Sequence, residues 1–203
     1  MKKLVIIGAS GHGKVVADIA RLSGYKKIVF LDDNKNVTKC GRYEVVGTSE
    51  NIGAYNCDFF VAIGNPIVRE KVTKALDKAG KKVVTLIHPN ATIGDDVSIG
   101  DGSVVMAGAV INPCTTIGKG CIINTCSSVD HDSVISDYAH IAVGAHLAGT
   151  VEIGEKTWLG SGAVVSNNIT ISSNCIIGAG AVVIDNLLTE GTYVGVPARW
   201  LHK

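Results

Sequence analysis

From Ile93 onward the chain repeats itself every six residues. Ile93, Ile99, Val105, Ile111, Ile117, Ile123, Val129, Ile135, Ile141, Leu147, Ile153, Leu159, Val165, Ile171, Ile177 and Val183 are all aliphatic, with no insertion between them. If such residues filled a quarter of positions at random, an unbroken run of this length has a chance on the order of one in four billion, so the repeat is structural. The residue four places on is small or β-branched throughout, from Ser103 and Ala109 to Cys175 and Ala181. Glycine follows the aliphatic residue at Gly94, Gly100, Gly118, Gly154, Gly160 and Gly178. A period of six fits neither an α-helix nor an alternating strand. It fits a three-sided coil in which each hexad supplies one short strand and one corner. The aliphatic residue points inward, the small residue fits near the next corner, and glycine is expected to permit the bend. Three hexads make one turn, so the run predicts about five turns, roughly 25 Å tall at ~4.8 Å between stacked strands. Periodicity leaves the hand of the coil open, and right-handed crossovers are the general rule.

Before His88-Pro89-Asn90 the pattern differs. Apolar β-branched runs predict strands over 2–8, 27–31, 58–63 and 82–87, and helical spacing predicts helices over 14–22 and 67–79. Strands alternating with helices imply a small parallel sheet covered by helices, half the size of a full dinucleotide-binding fold. The expected division is an α/β domain over 1–88 and a coil over 89–203.

Composition narrows the function. The 203 residues carry a net charge of +1 with both signs mixed along the chain, which excludes nucleic acid and an anionic membrane as expected partners. No apolar run is long enough for a span, and Gly8-Ala9-Ser10-Gly11 cuts the first one too short for a signal sequence, so a cytoplasmic protein is expected. The six cysteines form no C-x-x-C pair and are expected to be small buried thiols.

Two stretches carry candidate chemistry. GASGHGK, Gly8 to Lys14, joins the first strand to the first helix. It is neither a Walker A loop nor a G-x-G-x-x-G loop, but its glycines allow backbone N–H groups to approach a phosphate at a helix N-terminus. Asp32-Asp33 ends the second strand, where a carboxylate can accept hydrogen bonds from a ribose or base. A plain strand-to-helix turn is the alternative. In the coil, Val129-Asp130-His131-Asp132 sets an imidazole two places after an inward residue, hence outward, beside a carboxylate able to orient it. Gly149, one turn later, offers a backbone N–H near the same place. Lys14 and Asp18 read as a solvated helix face, and His146 as a corner residue.

The hexad run resembles the left-handed parallel β-helix acyltransferases, which work as trimers with sites between neighbouring prisms. The whole chain resembles one subfamily more closely. GASGHG, FLDD, AIGN, SSVDHDS and GVPAR recur together in the PglD/NeuD-type sugar acetyltransferases, especially those that N-acetylate a UDP-linked 4-amino sugar.

That resemblance implies a homotrimer that takes acetyl-CoA and a UDP-linked amino sugar, with no metal. It places Ser10, Gly11 and His12 on the sugar nucleotide, Asp32 and Asp33 at its uridine end, and Gly64 and Asn65 as a third wall. It makes His131 the general base supported by Asp132, and puts His140, Ser161 and Ala179 on acetyl-CoA, with Gly195-Val196-Pro197-Ala198 closing the coil. The family usually has Glu after the histidine, and Asp132 is one methylene shorter. Three alternatives stand beside this reading. They are O-acetylation of a sialic acid or another sugar hydroxyl, a zinc hydratase built on His131, His140 and His146, and a non-catalytic sugar-nucleotide sensor.

Overall fold

The computed structural model describes residues 2–202, and the chain divides into two compact units, Met1–Pro89 and Asn90–Lys203. The first unit runs β1 (Lys3–Ile7), α1 (Gly11–Leu22), β2 (Lys27–Leu31), the short pair β3 (Lys39–Cys40) and β4 (Tyr43–Glu44), a 3-10 turn (Ser49–Ala54), β5 (Asp58–Val61) and α2 (Pro66–Lys78). The sheet is parallel in the order β2-β1-β5. Central β1 is apolar because both of its faces are covered; Leu4, Val5 and Ile6 are fully buried.

Helix α1 starts at Gly11, three residues before the predicted Lys14. Ser10 takes the extended N-cap conformation, and Gly13 lies within the helix. A Cβ on Gly13 would collide with the Gly8 carbonyl and press on Phe30, so this glycine keeps the helix close to the sheet. Gly8 has φ +107°, and a Cβ there would lie 2.6 Å from the Ala62 carbonyl oxygen. The predicted strand over 82–87 shrinks to one bridge, Phe59 to Val83, followed by the separate pair Leu86–Ile87. Its partner β5 is only four residues long and passes into a loop after Val61.

The second unit is a solenoid. Two-residue strands recur every six residues from Thr92–Ile93 to Val182–Val183 and stack into three parallel sheets. Each pairs with the strand eighteen residues away: Ile111 lies beside Ile93 and Val129, Ile117 beside Ile99 and Ile135, Ile123 beside Val105 and Ile141. One sheet holds six such strands, so the coil has about six turns, slightly more than the hexad count implied. The register breaks at the end, where Tyr193 pairs with Ile177 and Arg199–Trp200 folds back antiparallel to close the stack.

The corners obey a stricter rule than the sequence showed. Every sixth residue from Asp96 to Gly180 has a left-handed φ, whether it is glycine or not: Asp96, Gly102, Gly108, Cys114, Gly120, Cys126, Asp132, Tyr138, Gly144, Thr150, Lys156, Gly162, Asn168, Asn174 and Gly180. The bend therefore sits three places after the inward aliphatic residue. The glycines expected to permit it, Gly94, Gly100, Gly118, Gly154, Gly160 and Gly178, sit one place after that residue and have no positive φ. Their function is close approach. A Cβ on Gly100 would meet Gly118 backbone at 2.6 Å, and one on Gly160 would meet Ala179 N at 2.6 Å.

From Ser103 to Ala181 the small inward position is buried in every hexad, and its hydroxyls are used. Ser103 Oγ donates to Gly118 O at 2.8 Å, Thr115 Oγ1 to Asp130 O at 3.0 Å and Thr157 Oγ1 to Ser172 O at 2.7 Å. These bonds meet the requirement that buried polar atoms be paired. Cys121 and Cys175 occupy the same position and are buried, as is Cys40 in the first unit. Cys57 is half-buried, and Cys114 and Cys126 are exposed because they occupy left-handed corner positions that face outward. His146 is not a corner residue; it lies in the strand His146–Leu147, with Nδ1 2.9 Å from Ser128 Oγ one turn away.

Ile135 is fully buried in the solenoid core. Ile135→Ala is expected to lower unfolding free energy by about 2–5 kcal/mol, since the stacked turns above and below prevent the cavity from collapsing. Denaturant melts of the variant against the parent check this.

Candidate active site

At one solenoid corner the chain reads Val129, Asp130, His131, Asp132, Ser133. Val129 and Ser133 are buried in the coil, so the three residues between them are pushed outward. Asp132 has φ +56°, the value the fold imposes at each corner, and this turns its carboxylate back toward the preceding side chain. His131 Nδ1 lies 2.7 Å from Asp132 Oδ2. The shorter acid therefore reaches the imidazole.

The same corner anchors the backbone. His131 N–H donates to Asp130 Oδ1 at 2.8 Å, and that oxygen also accepts from Asn112 Nδ2 at 2.6 Å. The Asn112 bond, with the His131 amide, holds the Asp130 carboxyl below its ordinary range. Asn112, one turn before Asp130, carries no signal of this role in the sequence beyond its spacing of eighteen residues. His131 O accepts from Thr150 N at 2.9 Å.

The imidazole lies directly over Gly149. A Cβ on that glycine would be 2.6 Å from His131 Cε1 and Nε2, so a larger residue there would push the ring out of this position. The ladder engages the N–H groups of Ala148 and Thr150 on either side of Gly149. The hydrogen bond to Asp132 raises the His131 pKa above its ordinary value, with Asp130 and Asp132 charge adding to it. The imidazole thus has Nδ1 occupied by a carboxylate and Nε2 on the opposite edge, an arrangement that suits proton abstraction at Nε2.

The other solenoid residues lie elsewhere on the prism. His140 is in the strand His140–Ile141, its Nε2 3.1 Å from Asn124 Nδ2 and its ring stacked on Trp158 at 5.9 Å and 11°. Ser161 and Ala179 are exposed on the corner that follows that sheet, and Gly180 N donates to Ser161 O at 2.9 Å across one turn. That corner precedes the sheet containing Ser128–Val129, and His131 follows the same sheet. Within one chain, a full sheet face separates the two sets.

In the first unit, the loop ends converge at the C-terminal edge of the sheet. Ser10 is exposed at the N-cap of α1 without a side-chain cap bond, and Gly11 has open space around it. His12 Nε2 is buried with no hydrogen-bond partner, and burial, with Arg69 nearby, pushes the imidazole pKa down to about 4.

Three of the predicted binding residues also hold the loops. Asp32 Oδ2 accepts from Ala9 N at 2.6 Å and its Oδ1 from Asn34 N at 2.9 Å. Asp33 Oδ1 accepts from Ser49 N at 2.8 Å. Asn65 Oδ1 caps α2, accepting from Ile67 N at 3.0 Å and Val68 N at 3.1 Å. Gly64 presents its carbonyl to Arg69 at 2.7 Å. Among the described residues, no helix is long and apolar enough to cross a membrane.

Comparison with known proteins places this geometry. The profile of the PglD N-terminal domain matches residues 3–76, and that of the bacterial transferase hexapeptide repeat matches residues 84–113 and 150–185. The chain is 35% identical over 166 residues to GDP-perosamine N-acetyltransferase of Escherichia coli O157:H7, covering 77% of this chain and 75% of that one. The chain belongs to the hexapeptide-repeat sugar N-acetyltransferases with a PglD-type N-terminal domain. A second relative, UDP-N-acetylbacillosamine N-acetyltransferase of Bacillus subtilis (strain 168), is 36% identical over 113 residues, covering 53% of this chain and 52% of its own. The acetyltransferase domain of PglB from Neisseria gonorrhoeae FA1090, solved with acetyl coenzyme A, superposes with a TM-score of 0.95 at 40% identity, covering 98% of this chain and 99% of that one. The solenoid is accordingly the left-handed hexapeptide-repeat β-helix of this family.

A general base must be unprotonated to act, so with His131 in that role activity is expected to fall as pH drops through its raised pKa. Asn keeps the left-handed corner that Asp132 occupies but removes the charge. Asp132→Asn is expected to shift the acid limb of kcat/KM to lower pH and to reduce kcat by about tenfold or more. A pH–rate profile of the variant checks both.

Proposed function

We propose that this protein transfers the acetyl group of acetyl-CoA to the 4-amino group of a sugar linked to UDP. The observation that carries this reading is the His131–Asp132 pair over Gly149, on the solenoid of a chain belonging to the sugar N-acetyltransferases. His131 Nε2 takes the proton from the amine nitrogen as that nitrogen attacks the acetyl carbonyl. Asp132 keeps the Nδ1 proton in place and stabilises the imidazolium that forms. Gly149 N–H faces the carbonyl oxygen as charge develops on it. The tetrahedral intermediate then collapses, the C–S bond breaks, and the thiolate of CoA leaves; no acyl-enzyme forms.

The donor assignment draws on the Neisseria gonorrhoeae relative, which was solved with acetyl coenzyme A. His140, Ser161 and Ala179 would hold the donor along their edge of the prism. Because a sheet face separates that edge from His131, a complete centre pairs the His131 corner of one copy with the donor edge of another. A homotrimer satisfies this. Ser10, Gly11, His12, Asp32, Asp33, Gly64 and Asn65 would hold the sugar nucleotide in the first unit.

GDP is the second reading for the nucleotide, favoured by the Escherichia coli relative, whose match extends over more of the chain than that of the Bacillus subtilis one. Thiol release from acetyl-CoA, measured against a UDP-linked 4-amino sugar, GDP-perosamine and sialic acid, decides among the acceptors. Turnover is expected with an amino-sugar nucleotide, and His131→Ala is expected to lower kcat by about 10²–10⁴. Acetylation of sialic acid alone would replace this reading with O-acetylation. Undiminished turnover in His131→Ala would remove the base.

A further inference from the structure

Arg69 is the one fully buried charged side chain among the described residues, at 1% exposure, and the catalytic scheme does not use it. It lies in the first turn of α2, whose sequence Pro66-Ile67-Val68-Arg69-Glu70-Lys71 reads as an ordinary polar helix start. Burying a guanidinium is costly, and such groups persist where geometry rewards them. Here Nη1 donates both to Ile63 O at 2.8 Å and to Gly64 O at 2.7 Å. One nitrogen thus fixes two successive carbonyls of the loop that leaves β5. Its charge also reaches the glycine loop after β1, where it acts on the His12 imidazole.

His12 supplies the second observation. Its Nε2 is buried with no protein partner. Buried polar atoms are rarely left so, and an orphaned one marks a place where a missing group completes the bonding. His12 is the second residue of α1, where backbone N–H groups and the helix dipole favour an anion. The chain therefore carries, at neighbouring strand ends, an unfilled imidazole nitrogen, a helix N-terminus and a loop clamped from below by a buried cation.

We propose that Arg69 is a positioning residue of the nucleotide site: its guanidinium clamps the Ile63–Gly64 carbonyls beside the glycine loop, so that Gly64 and the unfilled Nε2 of His12 are fixed for a nucleoside diphosphate. This rests on the reading that the first unit holds a sugar nucleotide. Arg69 does not touch the ligand; it acts through Ile63, Gly64 and His12.

The test uses the full chain, with UDP and GDP as calorimetric probes. Arg69→Gln is expected to weaken binding of whichever diphosphate the parent binds by roughly tenfold or more, while the acetyl-CoA KM stays within about twofold. Arg69→Lys keeps the charge but lacks the planar fork, and its affinity is expected to fall between the two. Folded variants that melt earlier yet bind the diphosphate as tightly as the parent would reduce Arg69 to a core residue and overturn the inference, leaving the nucleotide reading intact. A parent that binds neither UDP nor GDP would overturn both. An independent measurement needs no substitution. The His12 Nε2 resonance in the parent is expected to move on titration with the bound diphosphate, and a stationary resonance during binding would overturn the role given to His12.

Discussion

Closure of an eighteen-residue turn is the constraint from which the second unit follows. Each side of the triangle has only two strand residues, and each corner must redirect the chain within the remaining four. The left-handed φ at every sixth residue from Asp96 to Gly180 accomplishes this. For a non-glycine residue such a φ costs roughly 1–2 kcal/mol. Asp and Asn tolerate it best, and they hold the position at 96, 132, 168 and 174, but Tyr138, Thr150 and Lys156 have no such advantage. Burial of one Ile, Val or Leu per hexad stabilises by about 1.5–3 kcal/mol, the same order as the corner strain. A single hexad gains little. Stability comes from stacking, in which each aliphatic residue packs on those eighteen residues before and after it.

The candidate base inherits its geometry from that constraint. At position 132 the left-handed corner is required by the fold, whatever the chemistry, and it turns the carboxylate toward His131. A helix or an ordinary strand would point adjacent side chains apart. The eighteen-residue register then places Gly149 under the ring and Asn112 beside Asp130. Three turns contribute to one imidazole, and the sequence distance between them is fixed by the coil. Thr150, a β-branched residue in a left-handed conformation, donates its N–H to His131 O, so strain at this corner is tied to the backbone that carries the imidazole.

Legibility differed between the two units for physical reasons. The solenoid was readable because one inward residue per hexad must be aliphatic, and nothing interrupts the count from Ile93 to Val183. The corner rule was not readable. Fifteen left-handed positions are filled by glycine, Asx, Cys, Thr, Tyr and Lys alike, so residue type does not mark them. The glycines that do stand out are selected by close backbone approach, which composition cannot distinguish from bending. Cys114 and Cys126 were misread as buried because their hexad position, not their type, decides exposure. In the first unit, the strand-helix alternation and the glycine loop were visible, but Arg69 was not. A buried guanidinium and an exposed one look the same in a helical pattern, and only the two carbonyls at its tip reveal the difference.

The hydrogen bonds of the first unit also bear on why related chains handle different nucleotides. Asp32 uses both oxygens to hold backbone, one on Ala9 and one on Asn34, so its first requirement is the shape of the two loops. Asn65 is similarly committed to capping α2. Residues so engaged shape the loops first, whatever ligand those loops meet. Asp33 differs: it is exposed, and its Oδ1 alone accepts a backbone bond, from Ser49. A carboxylate has about four acceptor sites, so Asp33 retains capacity for a ligand. Uracil presents one N–H donor on its pairing edge, whereas guanine presents an N–H and an amino group side by side, which suits a carboxylate with two open oxygens. With Asp33 Oδ1 tied to Ser49 N, its Oδ2 is the less committed acceptor, so the Ser49 turn sets how much of this carboxylate stays open while Asp32 and Asn65 keep the loops in shape.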